Sequence, residues 1–109
     1  MGGEGFHTLG LSSPKYVNQG DTSIALGFQA GLSSQKTRAI AIGATAGAYI
    51  QGADAISIGT SAGFTGQFTA AVAIGFQAGQ VEQRQNTVAI GINSGRFNQG
   101  SNSIAIGIS

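Results

Sequence analysis

The chain has 109 residues, of which 19 are glycine, and it contains one proline, no cysteine, no tryptophan and only 8% charged side chains at a net charge of +1. Soluble globular domains carry about 25% charged residues and about 7% glycine, so a helical domain with a salt-bridged surface is excluded, and an apolar content of 41% excludes charge-driven disorder. Absence of cysteine removes disulfide frameworks and thiolate metal sites. The scatter of Lys15, Lys36, Arg38, Arg84 and Arg96 leaves no basic stripe for nucleic acid.

Residues 1–7 form a glycine-rich leader that holds the lone histidine, His7. It has neither a basic segment nor an apolar run, so no signal peptide is visible. Residues 8–23 read as a degenerate first coil, a cap that keeps Gln19 but has Thr8-Leu9-Gly10-Leu11 and Lys15 where later units have their signatures. Residues 24–109 are a repeat domain of six to seven coils. Its tetrapeptides are Ile24-Ala25-Leu26-Gly27, Ile40-Ala41-Ile42-Gly43, Ile56-Ser57-Ile58-Gly59, Val72-Ala73-Ile74-Gly75, Val88-Ala89-Ile90-Gly91 and Ile104-Ala105-Ile106-Gly107, spaced by 16 residues each time. A second signature follows in phase, at Ala30-Gly31, Ala46-Gly47, Ala62-Gly63, Ala78-Gly79 and Ser94-Gly95. A third is a recurring glutamine, at Gln19, Gln35, Gln51, Gln67, Gln83 and Gln99. The longest weakly polar stretch, residues 39–50, is interrupted by Gly43, Thr45 and Gly47 and is too short to cross about 30 Å of hydrocarbon, so no membrane insertion is expected.

Large, small, large, glycine is a period of two, hence strand; a helix would not tolerate two glycines in every unit. Equal units without insertions predict an all-β fold, a parallel β-solenoid or β-roll of 16-residue coils, about 4.8 Å apart and roughly 29 Å long for six coils. Stacking like on like predicts a structural ladder of the six glutamines. It also predicts an apolar core of Ile24, Leu26, Ile40, Ile42, Ile56, Ile58, Val72, Ile74, Val88, Ile90, Ile104 and Ile106. With two large aliphatics per coil and alanine making up 16 residues of the chain, such a core is thin. Several copies, three foremost, are expected to complete one another around a common axis.

Chemistry-bearing constellations are missing from the sequence. Glu4, Asp21, Asp54 and Glu82 fall in different phases of the repeat, so no carboxylate pair or calcium ladder stacks up. The glycine-rich corners lack the Lys-Ser/Thr of a phosphate loop, and no serine has a base beside it in the pattern. No enzyme activity, metal or cofactor is expected. A flat ice-binding face would need a regular outward row of threonine, and Asp21, Thr37, Ala53, Thr69, Gln85 and Ser101 do not supply one. The candidate surface contacts are Phe28, Tyr49, Phe64, Phe68, Phe76 and Phe97, which break the repeat where its skeleton does not require them; the competing role is packing along the rod.

The recurring small-[Ile/Val]-Ala-Ile-Gly followed by Ala-Gly, over residues 22–109, resembles the YadA-like head repeats of trimeric autotransporter adhesins and the similar units of phage and large-virus tail-fibre proteins. That resemblance implies a left-handed parallel β-roll packed as a homotrimer. It further implies a structural, adhesin-like rod segment of a surface or virion fibre, extracellular, holding positions for a host surface protein or glycan away from its base. The 16-residue unit, two residues longer than the bacterial heads' roughly fourteen, is more like the viral form. The alternative is a self-assembling filament or coat protein in which the β-solenoid units stack end to end, suggested by a last tetrapeptide with no capping element.

Overall fold

In the computed structural model, which describes residues 22–108, each 16-residue unit makes two three-residue strands joined by glycine corners. The tetrapeptides form β1 (Ile24–Leu26), β3 (Ile40–Ile42), β5 (Ile56–Ile58), β7 (Val72–Ile74), β9 (Val88–Ile90) and β11 (Ile104–Ile106). The glutamine segments form β2 (Ser33–Gln35), β4 (Tyr49–Gln51), β6 (Thr65–Gln67), β8 (Val81–Gln83) and β10 (Phe97–Gln99). Odd strands pair in parallel in one sheet, even strands in the other, each with the equivalent strand of the next coil. The register is that of the repeat: Ile40 stands beside Ile56, Ser57 beside Ala73, Gln67 beside Gln83. The protein is an all-β parallel solenoid of 16-residue coils, about five turns of which are described. The leader and the degenerate first coil, including Gln19, lie outside the described residues, as does Ser109.

Backbone hydrogen bonds run from coil to coil even at the corners, as in Gly47 N–H to the carbonyl of Ala62 at 2.8 Å and Gly63 N–H to that of Ala78 at 2.9 Å. Continuity there demands unusual backbone. Gly59, which ends β5, has φ 124°, and a Cβ on it would lie 2.8 Å from the carbonyl oxygen of Gly75 in the next coil. Only glycine suits that place on both counts. The second glycine of each unit serves the interior instead, since a Cβ on Gly47 would strike the Gln51 side-chain amide at 2.8 Å. The Ala-Gly signature and the glutamine column are therefore one device, the missing side chain making room for the amide.

The even strands do not alternate. Their middle residues, Ser34, Ile50, Gly66, Glu82 and Asn98, all have positive φ, between 53° and 71°. That left-handed residue turns the first two side chains of the strand outward and only the glutamine inward, so β4 and β10 have two exposed residues followed by a buried one. Ile50, φ 57°, is β-branched and holds this conformation at a cost of about 1–3 kcal/mol.

The core differs from the sequence expectation. Of the twelve expected core residues, Ile24, Leu26, Ile40, Ile42, Ile56, Ile58, Val72, Ile74, Val88 and Ile90 are only half-buried, and Ile104 and Ile106 are exposed. The interior is lined instead by the small residue between each pair, Ala25, Ala41, Ser57, Ala73 and Ala89, with Ala30, Ala46, Ala62 and Ala78 from the corners and the glutamines Gln35, Gln51, Gln67 and Gln83, all fully buried. A period of two marks two faces without saying which is inside. Here the two sheets lie close together, so alanine and a flat amide fill the gap and the aliphatic pairs face out.

Candidate functional site: two outward faces and a polar core column

Inside the tube the glutamines form one continuous column. The Gln51 side-chain amide donates from Nε2 to Gln67 Oε1 at 3.1 Å, and Gln67 Nε2 donates to Gln83 Oε1 at 3.1 Å; Gln35 to Gln51 and Gln83 to Gln99 repeat the contact at 3.0 and 3.3 Å. Each Nε2 also donates to the carbonyl that opens the odd strand across the tube, as Gln67 to Ile56 at 2.7 Å. That carbonyl fixes which end of the amide is nitrogen, so the column has one direction throughout. Ser57, standing where other coils have alanine, donates to Gln67 Oε1 at 2.5 Å. Buried polar groups satisfied in this way specify register, because a slip would leave them unpaired.

The first outward face belongs to the odd strands. Among the described residues two columns of aliphatics, Ile24 to Ile104 and Leu26 to Ile106, run from the first odd strand to the last with no charged residue between them. One flank of this stripe carries Phe28, Phe76 and Ile92, all about half exposed, at the place after the corner glycine. The other flank is polar. There Arg38 clasps Asp54 of the next coil with two hydrogen bonds, Nε to Oδ1 at 2.7 Å and Nη2 to Oδ2 at 3.0 Å. Those hydrogen bonds first, and the guanidinium charge with them, hold the Asp54 carboxyl below the usual carboxylate range and raise Arg38. The pair is exposed and contributes little to stability.

The second outward face belongs to the even strands. Tyr49 and Phe64 meet edge to face with centroids 5.3 Å apart, Phe68 is exposed, and Arg96 lies 4.7 Å from the centroid of the exposed Phe97 ring while donating to Gln80 Oε1 at 2.7 Å. The six candidate contacts are thus not brought to one place. Phe28 and Phe76 edge the aliphatic stripe; Tyr49, Phe64, Phe68 and Phe97 belong to the other face. Ile50 and Ile92, both exposed, join these faces with no signal in the sequence, because an aliphatic at a variable place does not stand out from the repeat as a ring does.

Among the described residues no three His, Cys, Asp or Glu side chains come together, and no helix is long and apolar enough to cross a membrane. No family model, curated protein or solved structure matches the chain.

Proposed function

We propose that the chain is a structural, adhesin-like rod segment of a fibre on a virion or cell surface, extracellular, in which three copies with left-handed coils pack along their aliphatic stripes. The observation that carries the proposal is the stripe itself. An unbroken double column of isoleucine, leucine and valine, half-buried or exposed and facing outward along the described residues, is the kind of surface that soluble chains cover. Two side chains wide, it is narrow enough for three rods to meet along one axis, and the even-strand face then points outward with its aromatic residues available to a host protein or glycan. Threefold packing and the surface role are what the repeat's resemblance to adhesin heads implies.

Light scattering on the purified chain tests this. The expected mass is that of three chains, and Ile42→Lys with Ile74→Lys, which plants two cations in the stripe, abolishes the assembly. A wild-type chain of single mass, or a double variant that still associates, overturns the proposal.

A further inference from the structure

The even-strand face is turned away from the aliphatic stripe and has a different chemistry. Four cations occur among the described residues; Arg38 is engaged by Asp54, and the other three belong to this face. Lys36 and Arg84 directly follow β2 and β8, and Arg96 directly precedes β10, against the single acid Glu82. Phe68 holds the same place in its coil as Lys36 and Arg84, two rungs from the first and one from the second, or about 10 and 5 Å at the usual strand spacing. Its ring leans across Gly66, where a Cβ would lie 3.6 Å from Cε1. Tyr49 and Ile50 stand on the rung below Gly66, 42% and 53% exposed. Ile50 keeps its strained backbone while its side chain projects into solvent, so internal packing does not account for its presence.

We propose that this face docks an acidic polysaccharide, a chain of linked hexuronates. The exposed ring of Phe68 and the edge of Tyr49 and Ile50 offer flat apolar surface to the C–H faces of the sugars, while Lys36 and Arg84 pair with their carboxylates. A linked hexuronate chain advances by about one rung per sugar, so a strand of sugars laid along the rod meets the column Lys36, Phe68, Arg84 in step. Three cations are too few for a nucleic acid backbone, and an acidic peptide would leave the rings unused. The inference names the class of surface the proposed rod would meet, and needs from that proposal only that this face stay outside the contact between copies.

Isothermal titration with oligogalacturonate, neutral dextran and polyglutamate tests it. The wild-type chain is expected to bind oligogalacturonate, with affinity falling as salt rises, and to ignore dextran. Phe68→Ala weakens binding about tenfold or more, and Lys36→Gln with Arg84→Gln weakens it similarly and flattens the salt dependence. All three positions are exposed, and an unchanged circular dichroism spectrum confirms that the variants fold. No binding of oligogalacturonate, equal binding of polyglutamate, or binding undiminished in Phe68→Ala overturns the inference. A single-mass chain that binds the sugar overturns the threefold rod and leaves this face standing; a three-chain assembly that ignores the sugar does the reverse.

Discussion

Ile50 and Gln67 show how two residues of neighbouring repeat addresses can have opposite effects on stability. Ile50 occupies a left-handed backbone place that other coils give to Ser34, Gly66, Glu82 and Asn98. A β-branched side chain is the least suited of these, so Ile50→Asn is expected to raise stability by about 1 kcal/mol in urea unfolding; a loss would show that Ile50 packs more than it strains. Gln67 is fully buried, accepts from Gln51 and donates to Gln83, Ile56 and Ala71. Gln67→Leu fits the apolar half of the interior but leaves the Gln83 oxygen without its donor and the Ser57 hydroxyl without its acceptor, while the Gln51 amide keeps the Ile40 carbonyl, so a loss of about 2 kcal/mol is expected in the same measurement. A near-neutral Gln67→Leu would mean the column is incidental to the fold.

At the scale of the strand, the sequence carries the repeat length, the parallel register and the glutamine column, because identity at a spacing of 16 leaves one way to stack like on like. It does not carry the sense of the odd strands. Ile40-Ala41-Ile42 alternates equally well in either phase, and what decides between them is the separation of the two sheets, a tertiary quantity that the Gln51 amide sets from across the tube. The left-handed residue inside β4 is illegible for another reason: Ser, Ile, Gly, Glu and Asn share no propensity that announces it. For the candidate faces, the variable rings are readable as outward, but which face each joins depends on where the backbone turns between strands, so Phe28, after the corner Gly27, and Phe68, after β6, end on opposite sides. Coils that touch only their neighbours make stability nearly additive along the rod. Deleting residues 56–71, one whole coil, is therefore expected to leave a folded, less stable solenoid by circular dichroism and thermal melting, with Ala41 moving beside Ala73. Complete unfolding on that deletion would show that the coils are not interchangeable.

For the molecule as a whole, fibre role, copy number and sugar surface all presuppose the same stack of rungs, in which a residue lies about 4.8 Å from its equivalent sixteen places on. The chain has no cysteine, so engineered pairs report that distance without interference. Thr65 and Val81 are register partners on β6 and β8, whereas Tyr49 and Val81 stand two rungs apart. Adjacent rungs fall within the Cα separation of about 4.4–6.8 Å that a disulfide bridges, and alternate rungs, about 10 Å apart, do not. Under mild oxidation of dilute protein, peptide mapping is expected to find an intrachain bridge in Thr65→Cys with Val81→Cys and free thiols in Tyr49→Cys with Val81→Cys. A bridge in the second pair and none in the first would contradict the stacked solenoid outright.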